Sequence, residues 1–443
     1  MILPRLIAKC LSVVLLLSLL AASPARAATL LRDADIEFSL RQLAKPVLSA
    51  AGLNPNSVRI LLIDDSALNA FVVDTQHIFI HSGLMMKLTT AEQLQAVIAH
   101  EAAHISNGHL ARRLGNMRSA RTAAGLGLLL AAVTGAASGN GQAAAAVAAG
   151  TQGSAMRLFF THTRAEESAA DISSVRFMMR AGIDPRGALE VQEIFRGQEA
   201  LSTARQDPYM RTHPLSRDRL RALRGLVEGH KGAGPNTTSQ YWFERAKGKL
   251  TAFKRAPSWT LRRAKDSISQ DINLMRQAAA YHRQSNTKRA LKAIDQAIAV
   301  RKSDPFLLDL KGQILLESRN FNAAVQTFRA AAKGAPREPL ILAGLGRAQL
   351  AAGDVRGALR SLEAARGRDF SNGRLLRDLA VAYAKQGQPG MASTVTAERY
   401  ALQGRMKDAK LHAERAMGQL PRGSGPWQRA QDVLSAAERA LRR

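Results

Sequence analysis

His100-Glu101-Ala102-Ala103-His104 sets two imidazoles four residues apart. On a helix that spacing puts both rings on one face, where they can share a single Zn²⁺, with the Glu101 carboxylate beside them to take a proton from water. A catalytic zinc needs a third protein ligand and an open position. One route to that ligand fails: His109 stands nine residues after His100 and Gly108 eight, whereas the metzincin pattern wants glycine and histidine at other offsets. Two candidates remain. Glu167 and Asp171 lie four apart in the acidic run Thr163 to Asp171. On one helical face Glu167 can ligate the metal while Asp171 hydrogen-bonds the remote nitrogen of a ligand histidine. His213, in Thr212-His213-Pro214, is the other, as a displaceable fourth ligand or as a donor to a developing oxyanion.

The elements that must position these groups are legible around them. Asp33 to Gly52 suits an amphipathic helix, Val58 to Ile63 a buried strand, and Ala70 to His81 a second strand with a turn near Asp74. Thr89-Thr90-Ala91-Glu92 reads as a capping box, Thr89 as N-cap and Glu92 three residues on, opening a helix through His109. Residues 122–155 form a Gly/Ala-rich apolar stretch in two pieces, each too short for the roughly 18 residues of a spanning helix. It reads as a helical hairpin against lipid, partner, cleft or core. Residues 231–240 concentrate turn formers and predict a linker.

Beyond the linker the chain is periodic. Ala278, Gly312, Gly346 and Ala380 recur every 34 residues, as do Ala290, Ala324 and Ala358, and Ala297, Ala331 and Ala365. Pro305 and Pro339 open repeats at the same interval. This pattern resembles the tetratricopeptide repeat, whose stacked helix pairs form a concave groove for peptides. Ala397 follows Ala380 by only 17 residues, so one helix is skipped near the end.

The N-terminus has basic Arg5 and Lys9, an apolar run Leu11 to Leu20, and Ala25-Arg26-Ala27 before Ala28. These are the parts of a cleavable secretory signal peptide. Its loss removes three basic residues and lowers the net charge from +28 to +25. Cys10, the one cysteine, leaves with it, which excludes thiol catalysis and internal disulfides in the mature chain. So basic a surface favours anionic membrane surfaces or acidic polymers. Nucleic acid is not expected, because the arginines are spread along helices without interleaved aromatics.

The chain resembles the HtpX and CAAX-prenyl-protease-like gluzincins, among them periplasmic protease-chaperones. The likeness rests on Asn69-Ala70-Phe71, Gly83-Leu84, His100 to His104, Arg164 to Asp171, Thr212-His213-Pro214 with Arg219, and the C-terminal repeats. It implies one zinc per chain on His100, His104 and Glu167, Glu101 as general base, Asp171 supporting a ligand histidine, and His213 as a regulatory zinc contact. It also implies a periplasmic endopeptidase acting on unfolded or stalled proteins, with the outer-membrane assembly machinery as a partner. Thr163 replaces the family's commoner serine, and the compressed last repeat leaves the partner open. Residues Ala70 to His81 offer an edge on which an extended substrate can pair, and Asn69, Ala70 and Phe71 are assigned to that substrate strand. The expected architecture is α+β and mostly helical: signal peptide 1–27, catalytic domain 28–230 with a small sheet, and an all-helical repeat solenoid 241–443. A reading from another class keeps the repeats as a chaperone or scaffold, with the zinc site silent or self-inhibited.

Overall fold

The computed structural model describes residues 30–112, 163–198, 201, 205–230, 234 and 236–442. The leader at 1–27 and the apolar stretch 122–155 lie outside the described residues. The Asp33 side chain accepts the backbone N–H groups of Asp35 and Ile36 and so starts α1 (Ala34–Ala50). Ile36, Leu40, Leu43, Val47 and Leu48 give this helix one buried stripe. Four short strands, β1 (Leu30–Leu31), β2 (Arg59–Ile63), β3 (Ala70–Val72) and β4 (His77–His81), form a sheet ordered β1-β2-β4-β3. β2 and β4 are parallel, and the two outer pairings are antiparallel. The expected strand from Ala70 to His81 is therefore a hairpin. Its turn closes because the Asp74 carboxylate accepts the backbone N–H groups of Gln76 and His77. β3 sits at the sheet edge.

A short helix, α2 (Ser82–Lys87), leads into α3 (Ala91–Ser106). The cap of α3 is one residue later than the sequence suggested. Thr90, not Thr89, accepts the Gln93 N–H, while the Gln93 side chain reaches back to the Thr89 N–H at 2.7 Å. The helix also stops at Ser106 instead of running through His109, since Gly108 turns left-handed at φ 69°. Apart from half-buried Glu92 and exposed Ser106, α3 is buried all round. It is the core helix, packed by α1, α4 (Arg164–Arg180) and α5 (Arg186–Ile194). Two helices follow, α6 (Pro208–Thr212) and α7 (Arg217–Glu228).

Asn236 caps α8 (Thr237–Lys254), so the last residues of the predicted linker belong to a helix. Phe243, Ala246 and Leu250 of α8 join the core formed by α1 and α3. After α9 (Pro257–Arg263) come the helix pairs α10 (Gln270–Arg283) with α11 (Thr287–Val300), α12 (Pro305–Glu317) with α13 (Phe321–Gly334), and α14 (Pro339–Ala351) with α15 (Val355–Arg366). The small residues of the period mark where paired helices touch. A Cβ on Gly346 would lie 2.5 Å from Leu362 Cγ, and one on Gly312 2.8 Å from the Phe328 ring. α16 (Gly373–Lys385) carries Ala380. The next helices, α17 (Pro389–Leu402) and α18 (Met406–Gln419), pair through buried Ala397, Ala409 and Ala416, and α19 (Gly425–Leu441) closes the array. α16 thus stands in place of a complete pair, which accounts for the broken period.

The repeats return to the first unit through buried and half-buried ion pairs. Arg245 of α8 bonds Asp35 at 2.6 Å and Asp304 at 2.7 Å, Arg32 bonds Asp369 at 2.6 Å, and Arg41 reaches Glu338 at 3.3 Å. Among the described residues no helix is long and apolar enough to cross a membrane.

Candidate metal centre

Three segments converge on one buried point. α3 contributes His100, Glu101 and His104, all buried. At the start of α4 the Thr163 side chain and Glu166 form a reciprocal capping box. That occupies Glu166 at the helix end and turns the next residue, Glu167, inward, where it is fully buried. The chain following α6 supplies His213.

The donor atoms lie at the edges of a coordination polyhedron. His100 Nε2 is 3.1 Å from His104 Nε2 and 3.4 Å from Glu167 Oε2, and His104 Nε2 is 3.4 Å from Glu167 Oε1. His213 Nδ1 lies 2.9 Å from Glu167 Oε1 and 3.3 Å from His100 Nε2. Zinc–nitrogen and zinc–oxygen bonds near 2.0–2.1 Å in a tetrahedron require donor–donor edges of about 3.3 Å. Three imidazole nitrogens and a carboxylate at these separations are thus a donor set that fits Zn²⁺, with all four within 4.8 Å of one another.

The far side of each ring is held. His100 Nδ1 sits 3.2 Å from Asp171 Oδ1, which leaves Nε2 as the lone-pair nitrogen facing the centre. Asp171 is in turn gripped by Arg219 through Nε at 2.8 Å and Nη2 at 3.0 Å. Arg219 Nη1 donates to the Pro214 carbonyl at 2.7 Å and stands 3.0 Å from Glu167 Oε2. On His104 the remote nitrogen meets His109 Nδ1 at 2.8 Å. Glu101 Oε1 lies 3.5 Å from His213 Nε2. Tyr209 packs on His213 with centroids 4.6 Å apart and stacks on Phe195 behind it.

The charges follow from these contacts. Burial works against ionised Glu167, but His213 and the hydrogen bonds from His100 and His104 hold its carboxyl well below the usual range. Burial likewise opposes the charge on Asp171, and His100 together with Arg219 outweighs it. His104 is pushed well below its ordinary value by burial and is neutral, as a ligand must be. Burial also lowers His100, yet its bonds to Asp171 and Glu167 raise it to about 10. The pair of carboxylates therefore demands positive charge at this point, a demand that a dication meets. Tyr209 stays a neutral phenol, raised by burial and by Glu101.

His100, Glu101, His104, Glu167, Asp171 and His213 are brought together. Sequence reasoning missed the roles of His109, Tyr209 and Arg219. Arg219 figured there only as part of a family resemblance, and His109 only as a ligand that failed its spacing. Asn69 and Ala70 are buried, and Phe71 stacks on Phe79 at 5.4 Å. The Asn69 carbonyl accepts the His81 N–H, while that of neighbouring Leu68 accepts the Tyr209 N–H at 3.2 Å. The entrance to edge strand β3 is thereby tied to the segment that carries His213.

Comparison with known proteins agrees with this geometry. Residues 31–227 match the model of peptidase family M48. The beta-barrel assembly-enhancing protease of Escherichia coli (strain K12) is 24% identical over 408 residues, covering 90% of this chain and 82% of that protein. The mitochondrial metalloendopeptidase OMA1 of Schizosaccharomyces pombe is 25% identical over 182 residues, 41% of this chain and 50% of the relative. Among solved structures, MamA 41-end from Desulfovibrio magneticus RS-1 is similar over 37% of this chain and 96% of its own, at 16% identity and a TM-score of 0.33.

Proposed function

We propose that this chain, whose residues 31–227 match the model of peptidase family M48, is a zinc-dependent metalloendopeptidase in which His100, His104 and Glu167 hold the metal while Glu101 serves as general base. The observation that carries this reading is the 3.1–3.4 Å spacing of His100 Nε2, His104 Nε2 and the Glu167 oxygens. Bound zinc supplies a Lewis acid that polarises the scissile carbonyl and acidifies water. Glu101 takes the proton from the attacking water and returns it to the leaving amine. Asp171, itself fixed by Arg219, and His109 orient the two ligand rings. Substrate adds to the open edge of β3 in extended form, so recognition runs through backbone hydrogen bonds and tolerates many side chains.

His213 Nδ1 falls among the donors, which supports a resting form closed by a fourth protein ligand. Displacement of that imidazole opens the position a catalytic zinc needs. The same contact supports a second reading, in which the repeats act as a chaperone or scaffold and the metal site stays self-inhibited.

The name of the Escherichia coli relative, a beta-barrel assembly-enhancing protease, supports a place in the periplasm, with unfolded or stalled outer-membrane proteins as clients that the repeats dock and the zinc site degrades. The deciding test pairs metal analysis with casein cleavage. About one zinc per chain, lost in Glu167→Ala and kept without activity in Glu101→Gln, is the expected result. Full activity of zinc-loaded Glu101→Gln overturns the assignment.

A further inference from the structure

The sheet has two faces, and only one belongs to the core. Ala70, Val72, Ile78 and Ile80 point into the cluster that includes Leu94, Val97 and Ile98 of α3, so the residues between them point the other way. On that outer face Leu61, Phe79 and Phe71 stand opposite one another on β2, β4 and β3. Leu61 is buried, whereas Phe79 and Phe71 are half-buried, so the cover thins toward the edge. The Phe71 and Phe79 rings stack with centroids 5.4 Å apart, and His77 stacks on Phe79 at 6.0 Å. Just past β3, Val73 is 41% exposed. An apolar row thus crosses the sheet and stops at its open edge.

The backbone at that edge decides which side chain of an added strand meets Phe71. The His81 N–H donates to the Asn69 carbonyl, and Phe71 stands in register with Phe79. The alternation of an antiparallel ladder then makes Phe71 and Phe79 a hydrogen-bonded pair. The N–H and C=O groups of Ala70 and Val72 accordingly point away from β4, on the side where the Leu68 carbonyl accepts the Tyr209 N–H. No described residue bonds them there. An antiparallel strand that does so sets one residue opposite Phe71 with no hydrogen bond between the two. In that pairing side chains lie closest, with Cα atoms about 4.5 Å apart. The residues on either side of it turn toward α3. Leu68 lies about 10 Å along the strand from Phe71, so this position falls where a substrate passes the segment that carries His213.

A polar side chain there covers the Phe71 ring with a group that prefers water, whereas an aromatic or large aliphatic one extends the row by a member. We propose that Phe71, backed by Phe79, determines specificity by selecting an aromatic or large aliphatic side chain at the one substrate position opposite it. The tolerance of backbone pairing is thereby narrowed at a single position. The favoured substrate class is the unpaired β-strand with an apolar face, the form of a sheet segment that has not found its neighbour. The inference rests on the reading that substrate adds to β3.

The test uses the zinc-loaded mature chain. Mass spectrometry of digested casein supplies a cleavage site, and an internally quenched peptide built on it is varied to Phe, Leu or Ser at each position in turn. At one position kcat/KM is expected to be about fivefold or more higher with Phe than with Ser, the size of an aromatic cross-strand contact. Phe71→Thr, a substitution that suits a strand, is expected to bring this ratio within about twofold while ratios at the other positions hold. Phe71→Leu should fall between the two. Ratios are taken within each variant, so its overall activity cancels. A wild-type chain with no Phe preference at any position overturns the proposal, and so does a preference that persists unchanged in both variants. N-methylation scanned along the peptide, outside the scissile bond, tests the reading beneath it. If methyl groups at alternate residues abolish cleavage while both variants keep the wild-type preference, pairing stands and the selection falls. If cleavage is insensitive to methylation throughout, both fall.

Discussion

Asp171→Asn removes a charge without removing volume and tests whether the ligand histidines are set by their far-side partners. Asp171 accepts from Arg219 at 2.8 and 3.0 Å and faces His100 Nδ1 at 3.2 Å. An asparagine has one acceptor oxygen and one NH₂ group. If the oxygen faces His100, the NH₂ points at the Arg219 donors; if it is flipped, the NH₂ points at the His100 N–H. Either way a buried donor meets a donor, and hydrogen bonds to charged groups are worth roughly 1.5–3 kcal/mol each. Loss of such support to a ligand histidine typically weakens metal binding about 10- to 100-fold. The assay is competition for zinc against a chromogenic chelator, with circular dichroism to show that the helices are intact. A folded Asp171→Asn protein that binds zinc within about twofold of wild type would refute the argument that Asp171 orients His100.

Replacing His213 by Ala frees the fourth donor position, so casein cleavage by zinc-loaded protein is expected to rise several-fold with zinc content preserved. A rate at or below wild type counts against the gate. Gly346→Ala sets a methyl 2.5 Å from Leu362 Cγ, an overpacking expected to cost about 1–3 kcal/mol in urea unfolding; an unchanged midpoint would mean that the helix pair adjusts freely. Asp309, partly buried beside Lys249 and near Asp33 and Asp35, is raised to about 7, with burial the main cause. Its folded-state value lies above the unfolded one, so its charge penalises folding increasingly as pH rises from about 4 to 7 and uniformly above that. Asp309→Asn should therefore match wild type near pH 4 and gain relative stability up to pH 7 in denaturation curves, and a constant offset across that range would show that the carboxyl titrates normally.

The parts of the centre that sequence could reach are those set by one helix. Four-residue spacing fixes His100 against His104 and Glu167 against Asp171 whatever the rest of the chain does. Choosing Glu167 over Glu166 is equally local, since the Thr163 cap occupies Glu166. The misplaced cap of α3 shows the limit of such logic: two threonines precede two residues able to complete a box, and the Gln93 side chain decides by reaching back to Thr89. His109 was illegible because helical extrapolation fails at Gly108. Once the chain turns left-handed there, a residue expected on the next turn swings back onto His104. Tyr209 and Arg219 depend on a segment far along the chain folding over α3, which no window of sequence contains.

Buried charge hid the other half of the architecture. Arg245 and Lys249 of α8 are both fully buried. Their partners Asp33, Asp35 and Asp304 lie more than fifty residues away in the chain. The 34-residue period that positions Gly312 and Gly346 also positions Asp304 and Glu338, each just before the proline that opens a repeat helix. Only with α1 placed opposite do these acids become docking residues, answered by Arg245 and Arg41. Removing one member of such a buried pair strands the other's charge and costs more than the pair contributes. The repeats are therefore held to the peptidase unit by charged contacts whose partners are costly to lose singly.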